Sequence, residues 1–183
     1  KTEKERLEAG TQLTVAPDDE RLKYGRIIIT PEGGEGIAVP TIERSQGTPV
    51  YSGKMEIKAC EEGLVLVNDL FLEDYLTRVV PSEMPPSYEK EALKAQAVCA
   101  RTYAYRQIQG NSYSQYGAHV DDSTNFQVYN NTNPDERTTQ AVKETYGKML
   151  FYEDNPIDAF YFSTSCGHTA DVSVWGTDAD KLP

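Results

Sequence analysis

One carboxylate stands out because prolines surround it: Glu83 lies in the run Pro-Ser-Glu-Met-Pro-Pro at 81–86. Proline donates no N–H and pushes the residue before it into extended geometry, so this run predicts a rigid loop rather than the middle of a helix. Most glutamates are exposed and solvated, and an isolated Glu83 would be interpreted as a loop charge. The alternative is a carboxyl held at the wall of a cleft, where it would transfer protons as a general acid and base.

Arg101 is the second candidate, and it lies on the clearest predicted helix, over residues 88–109. Ser87 is a good N-cap and Gly110 follows the end of the helix. Apolar residues recur on it every three or four positions, at Leu93, Ala97, Ala100, Ala104 and Ile108. This stripe predicts close packing, and Arg101 lies one position beyond it. The arginine either extends to solvent or faces the cleft beside Glu83, where it would hold a polar substrate group or shift the pKa of the carboxyl.

Asp121 and Asp122 form an acidic pair close to His119. Neighbouring acidic residues in a loop are more often solvated than functional. A glycosidase that hydrolyses its substrate uses two carboxyl groups about 5–9.5 Å apart, so either aspartate could complete a pair with Glu83. The sequence leaves both interpretations open.

Ser163 and Ser165 lie in a hydroxyl-rich run with Cys166, Gly167 and His168. Serine and histidine close in sequence are no evidence for a catalytic triad, and the sequence has no G-x-S-x-G turn. Two histidines and scattered cysteines are also a weak zinc signal, because such a site needs three or four protein ligands. The run is more typical of a polar loop that hydrogen-bonds a sugar.

Composition argues against several classes of partner. The net charge is −11, whereas nucleic-acid binding needs a basic footprint that neutralises phosphates. The same charge argues against simple attraction to an anionic membrane or wall polymer.

No apolar run approaches the ~20 residues that a bilayer needs and no secretory signal is visible, so we expect any signal or anchor to lie upstream. Cys60, Cys99 and Cys166 are expected to be free thiols, with a Cys60–Cys166 disulfide as the alternative.

Short strand-like runs precede the long helix and predict a small antiparallel β-unit. These runs cover residues 26–30, 36–39, 50–51 with 54–58, and 63–68. Beyond the helix, a second helix is predicted over 134–146, followed by a hairpin of 149–152 and 159–162. The predicted fold class is α+β, a small antiparallel β-unit packed beside a helical lobe, with the active-site cleft and Glu83 between them.

The predicted domain organisation has two parts. Residues 1–25 are charged and weakly patterned, so we expect a peripheral lead-in. Residues 26–183 are expected to form one catalytic domain.

Several motifs in a fixed order resemble the SpoIID/LytB family, known from sporulation stage II protein D and amidase-enhancer proteins. The most distinctive is Ala-Leu-Lys-Ala-Gln-Ala-Val-Cys-Ala-Arg-Thr-Tyr-Ala at 92–104. Leu-Glu-Asp-Tyr-Leu at 72–76 and Val-Pro-Ser-Glu-Met-Pro at 80–85 precede it. Phe-Gln-Val-Tyr at 126–129 and Ser-Thr-Ser-Cys-Gly-His-Thr at 163–169 follow it. The resemblance extends over residues 51–175.

The resemblance implies a lytic transglycosylase that cleaves the bond between N-acetylmuramic acid and N-acetylglucosamine in peptide-stripped peptidoglycan strands, leaving 1,6-anhydro ends. It assigns the catalytic carboxyl to Glu83 and a functional arginine to Arg101. The side chains expected to bind substrate are Ser82, Gln96, Gln127, Ser163, Ser165 and His168. Two alternatives stay open: a non-catalytic wall-binding module that recruits or stimulates a peptidoglycan amidase, and a hydrolase that pairs Glu83 with Asp121 or Asp122.

The resemblance also sets expectations for partners and location. The expected partners are glycan strands and an amidase, with no nucleic acid, and with a membrane only through an upstream anchor. The expected location is extracytoplasmic, and sporulation is among the expected processes. Some members bind zinc beside the Gln-Val-Tyr motif, but residues 121–126 carry no thiol or imidazole, so we expect neither zinc nor another cofactor. The family pattern continues beyond residue 176, and we therefore expect a domain truncated at its C-terminus.

Overall fold

A β-unit forms one side of the molecule. The computed structural model describes residues 3–33, 36–44, 47–130 and 133–170. The strands of this unit are β1 (Ile27–Ile29), β2 (Ile37–Ala38), β3 (Val50–Tyr51), β4 (Lys54–Cys60) and β5 (Gly63–Asp69). Antiparallel pairing joins them into a sheet of order β1-β4-β5 and a separate β2-β3 pair, which confirms the predicted antiparallel unit.

Three helices pack together beside this unit and make the helical lobe. They are α1 (Leu72–Glu83), α2 (Lys90–Ile108) and α3 (Glu136–Glu144). Side chains alternate across a strand, and in β4 this alternation buries Met55 and Ile57 against the helices. The helices contribute Leu76, Val79, Val80, Ala97, Ala100 and Val142 to the same core. The predicted α+β arrangement is confirmed.

The structure corrects the predicted loop around Glu83. Residues from Leu72 onward form α1, with Pro81 inside its last turn and Glu83 as its last residue. A proline removes one backbone hydrogen bond, but packing dominates helix stability in proteins, and α1 buries Leu76, Val79 and Val80 completely. The helix stops at Met84, which is extended because Pro85 follows it.

Helix α2 lies where its pattern predicts, with corrected ends. It begins at Lys90, after an N-cap at Glu89 that makes no side-chain hydrogen bond, so Ser87 is not its cap. Leu93, Ala97, Ala100 and Ala104 are buried as predicted, whereas Ile108 is 37% exposed. Since Ile108 is the last residue of the helix, it extends beyond the neighbours that cover the stripe.

The C-terminal elements are shorter than predicted. Helix α3 covers Glu136–Glu144 and is capped by Asp135, whose carboxylate accepts hydrogen bonds from the N–H groups of Arg137 and Thr138. The hairpin consists of β6 (Phe151–Tyr152) and β7 (Asn155–Pro156). Glu153 and Asp154 both have positive φ, which makes a tight two-residue turn. The return strand therefore pairs at once, and residues 159–162 form no strand.

Two side chains of the predicted lead-in reach the packed interior. Leu22 lies in a 3₁₀ turn, Glu20–Leu22, and is 6% exposed, while Val15 packs against the core.

Cys60, Cys99 and Cys166 are free thiols, so the alternative Cys60–Cys166 disulfide is not formed. Among the described residues, no helix is both long enough and apolar enough to cross a bilayer.

Candidate active site

Glu83 is held at the junction between the helical lobe and the segment that follows α2. Its Oε1 atom accepts a hydrogen bond of 2.7 Å from the backbone N–H of Val128, which is 45 positions away in sequence. Glu83 is the last residue of α1, and its side chain is partly buried and partly accessible. A carboxyl with one oxygen fixed by the backbone and some access to solvent suits proton exchange with a bound molecule.

A buried amide organises the other side of the site. Gln127 is 1% exposed, and its Nε2 donates to the Ala100 carbonyl and to the Tyr161 hydroxyl, both at 3.2 Å. Its Oε1 accepts a 3.3 Å hydrogen bond from the Tyr75 hydroxyl. Protein groups surround this amide, so Gln127 would position its neighbours. The predicted contact between Gln127 and a substrate does not fit this burial.

Tyr161 connects this amide to the carboxyl. Its hydroxyl accepts a hydrogen bond of 3.2 Å from Gln127, and it lies close enough to Glu83 for the two groups to interact. Burial raises the pKa of Tyr161 well above its usual range, and the charge of Glu83 raises it further, while the bond from Gln127 opposes the shift. The hydroxyl therefore keeps its proton and is available as a donor to the carboxylate.

Two more tyrosines extend the same wall. Tyr75 and Tyr129 stack with ring centroids 5.4 Å apart. Burial raises the pKa of Tyr129 to about 12 and that of Tyr75 far above the usual value for a phenol. The phenols near Glu83 are thus neutral at physiological pH and bring no competing negative charge to the site.

Ser82 lies beside Glu83, and its hydroxyl both donates and accepts a hydrogen bond. Its hydroxyl donates to the Arg78 carbonyl at 2.7 Å and accepts from the Asn130 N–H at 3.3 Å. The second bond joins the end of α1 to the segment after Val128. Ser82, predicted as a substrate contact, is placed beside Glu83 and helps to fix its surroundings.

The structure corrects the placement predicted for Arg101. The side chain is 1% exposed, and its guanidinium binds both oxygens of Glu73, with Nε–Oε1 at 2.7 Å and Nη2–Oε2 at 2.8 Å. It also donates to the carbonyls of Val142 and Lys148. Its guanidinium is therefore neither in solvent nor paired with Glu83; it ties α1 to the end of α3.

Gln96 is buried on α2, with 8% of its surface exposed. Its Nε2 atom has no hydrogen-bond partner among the described residues. No described contact connects it to Glu83, so its predicted role in substrate binding remains a prediction.

The hydroxyl-rich run forms a local exposed turn. Ser165 Oγ accepts from the Gly167 N–H at 3.1 Å, and it donates to the His168 carbonyl at 3.4 Å. Ser163, Ser165 and His168 are all exposed, and their described hydrogen bonds remain within the run. Their proposed contact with a sugar is compatible with this exposure, but the structure does not bring them to Glu83.

Comparison with known families follows the same residues. The family model described as Stage II sporulation protein, SpoIID, matches residues 60–152, about half of the chain. The chain belongs to the SpoIID family. The matched range contains α1, α2 and α3 together with Glu83 and Val128, whereas Tyr161 lies beyond its end.

Curated relatives of this SpoIID chain carry two kinds of name. Stage II sporulation protein D of Bacillus subtilis is 40% identical over 160 residues, which cover 79% of this chain and 47% of that protein. Its counterpart in Bacillus amyloliquefaciens is 41% identical over 127 residues, covering 62% and 37%. The amidase enhancer of Bacillus subtilis is 43% identical over 108 residues, covering 58% and 14%. The chain thus spans about half or less of the length of these relatives.

The acidic pair in this SpoIID chain is already engaged. Asp121 accepts hydrogen bonds from the Tyr113 hydroxyl and from Ser123, and Asp122 forms an ion pair with Arg44. Burial opposes ionisation of Asp121, but the hydrogen bonds from Ser123 and Tyr113 lower its pKa. No group of three His, Cys, Asp or Glu side chains that could hold a metal occurs in the described part of the chain. The residues present do not fit the zinc site that the resemblance associates with some members.

Three groups of this site were missed in the sequence: Tyr161, the Val128 N–H and Glu73. Tyr161 lies in an aromatic run that was assigned to a strand, and a backbone N–H carries no side-chain signal at all. Glu73 lies in the motif at 72–76, and its partner is 28 positions away. The signal that could have found Glu73 is the full positive charge of Arg101 beside an alanine stripe, since a buried charge needs a counter-ion.

Proposed function

We propose that this SpoIID domain is a lytic transglycosylase of peptidoglycan with Glu83 as its acid and base. The observation that carries the proposal is the partly buried carboxyl of Glu83 at the end of α1, which the Val128 N–H holds in place and beside which the neutral Tyr161 hydroxyl lies. This chemistry needs only one carboxyl group, whereas hydrolysis of a glycosidic bond would need a second carboxylate near Glu83. Asp121 and Asp122 are occupied by other partners, which argues against the hydrolase.

The reaction needs one carboxyl in two protonation states. Protonated Glu83 gives its proton to the oxygen between the muramoyl and glucosamine units, and the bond from muramoyl C1 to that oxygen breaks. The C6 hydroxyl of the same muramoyl unit then bonds to C1 and gives its proton to the Glu83 carboxylate. The products are a 1,6-anhydro end and a free 4-hydroxyl, and Glu83 regains its starting state without water. Hydrogen bonds that orient the carboxyl beforehand favour both transfers.

Arg101 serves this reaction as a positioning residue rather than by contact with substrate. Its bidentate pair with Glu73 holds the first turn of α1, and Glu83 is the last residue of that helix. The rigidity of α1 would therefore pass from Arg101 to the carboxyl.

A second candidate function is a non-catalytic module that stimulates a peptidoglycan amidase. It is favoured by the 43% identity with a protein named amidase enhancer. Exposed aromatic side chains on and after the hairpin offer a surface for such a partner: Phe151, Tyr152, Phe160 and Phe162. An extracytoplasmic location accompanies either function.

The test is mass spectrometry of the products from peptide-free glycan strands, with Glu83→Gln beside the wild type. We expect 1,6-anhydro ends from the wild type and a loss of about 10²–10⁴-fold in rate for the variant. Glu89→Gln is the matched control, because Glu89 is exposed and makes no side-chain cap. Reducing ends would identify a hydrolase instead. Equal behaviour of wild type and Glu83→Gln, with glycan binding retained, would favour the amidase-stimulating module.

A further inference from the structure

A polar cavity of about 70 Å³ is lined in part by the segment that holds Glu83. Its lining includes Arg44, Thr48, Asn130 and Asn133. A water molecule takes about 30 Å³ in the liquid, so the cavity has room for a polar group of a few heavy atoms but not for a peptide.

The cavity and the candidate acid share one short stretch of chain. The Val128 N–H binds Glu83, and two residues later the Asn130 N–H binds Ser82, while Asn130 also lines the cavity. Two residues span at most about 7 Å even when fully extended. A substituent on a sugar bound at Glu83 would therefore be within reach of the cavity.

Arg44 gives the cavity its chemistry. One arm of the guanidinium, Nη2, pairs with Asp122, and the side chain is 27% exposed. Its Nε–H is enclosed and has no hydrogen-bond partner among the described residues. An enclosed donor of a charged group is costly to leave unpaired, and the interactions of the guanidinium with Asp122 and Tyr51 do not occupy all five of its donors. The amides of Asn130 and Asn133 add neutral donors to the same lining.

Because the chain as a whole is negatively charged, an anionic ligand needs a local positive group in order to bind. The chain carries a net charge of −11, which repels anions on average. A polymer that carries regular carboxylates thus needs a local cation in order to bind. An arginine with amide neighbours suits a carboxylate, because charge-assisted hydrogen bonds from a guanidinium are among the strong ones.

We propose that the Arg44 cavity binds the free lactyl carboxylate of a muramoyl unit in the glycan held at Glu83, an inference that rests on the proposed function. A muramoyl unit has this charge only when no peptide is attached to it. With the peptide in place the carboxyl becomes a neutral amide, which loses the charge-assisted hydrogen bond to the guanidinium. Arg44 would thereby select peptide-free strands.

The test measures glycan binding in the Glu83→Gln background, so that the ligand stays intact. The two probes are peptide-free glycan with free carboxyl groups and the same glycan after its carboxyls have been converted to methylamides. We expect Glu83→Gln to prefer the free-carboxyl glycan about tenfold, as a charge-assisted contact allows, and added Arg44→Gln to abolish that preference. The preference should weaken with salt.

Asp122→Asn is the matched control, because it breaks the same ion pair but keeps the guanidinium. We expect it to retain or increase the preference. Equal binding of both glycans before any change at Arg44, or equal loss from Arg44→Gln and Asp122→Asn, would overturn the inference. If Arg44→Gln fails to fold, Arg44→Lys keeps the charge without the fork and should reduce the preference in part.

The outcomes separate this inference from the proposed function. Cleavage of peptide-free glycan by the wild type without any carboxylate preference overturns the role of Arg44 and leaves the transglycosylase intact. A preference that depends on Arg44, with no anhydro product from the wild type, supports the carboxylate site and overturns the transglycosylase.

Discussion

Arg101 and Glu83 are two charged residues of one helical lobe with opposite surroundings. Arg101 is 1% exposed and is bound by Glu73 and by backbone carbonyls, so its hydrogen bonds are made inside the protein. Glu83 is only partly buried, with one oxygen held by a backbone N–H. A charge enclosed by its own partners stabilises a fold, whereas a charge held but still accessible can react. The sequence motifs mark both residues as functional candidates and do not distinguish these roles.

The largest effect expected from this comparison is on stability, at Arg101. Arg101→Met leaves Glu73 without its counter-ion, and we expect a loss of about 3–5 kcal/mol in the free energy of unfolding. Urea denaturation measures it. The double variant Glu73→Met with Arg101→Met should lose less than the single one, because no unpaired charge remains. A loss below about 1 kcal/mol for Arg101→Met would show that the pair is not a structural element.

The next effect concerns the amide that organises the site. Gln127→Leu removes partners from the Ala100 carbonyl and from the hydroxyls of Tyr75 and Tyr161. We expect a loss of about 1–3 kcal/mol in unfolding free energy, the cost of unpaired buried polar groups. Gln109→Leu, at an exposed position, is the control and should unfold as the wild type does. Equal stability of the two variants would contradict the buried network.

A third change sharpens the comparison on the reactive side. Tyr161→Phe removes one hydroxyl beside Glu83 and keeps the ring, so we expect kcat on peptide-free glycan to fall about tenfold, the equivalent of about 1.4 kcal/mol. KM should change little, and the loss of the one hydrogen bond from Gln127 should destabilise the protein less than Gln127→Leu does. Tyr152→Phe is the control, since Tyr152 is 59% exposed in the hairpin. A fall in melting temperature that matches the fall in kcat would make Tyr161 a structural residue only.

The smallest effect is a pH dependence at the surface of the helical lobe. Hydrogen bonds from Lys90, Lys94 and Gln140 lower the pKa of Glu144 to about 2. A lowered folded-state pKa stabilises the protein above the ordinary glutamate value of 4.5, and this contribution disappears as the pH falls towards 2. Glu144→Gln should therefore melt slightly below the wild type at pH 7 and together with it near pH 2. A difference that persists at pH 2 would contradict this assignment.

Much of the local structure was predictable because its signals lie close together in sequence. Short β-branched runs separated by glycine and proline predicted the strands of the β-unit, and the alanine spacing predicted the buried face of α2. Glu83 was identified as the candidate acid from its motif. The prediction failed for the loop around it, since packing of Leu76, Val79 and Val80 outweighs the proline in the last turn of α1.

The sequence by itself determined most of the elements, the family and the candidate Glu83, because periodicity and motif order are visible along the chain without knowledge of the packing. The tertiary structure alone decided which partners the charged and polar groups have. Arg101 meets Glu73 across 28 positions, Glu83 meets Val128 across 45, and Gln127 meets Tyr161 across 34. Such contacts depend on how helices pack, and chemically similar acceptors elsewhere in the chain are indistinguishable until packing brings one of them close.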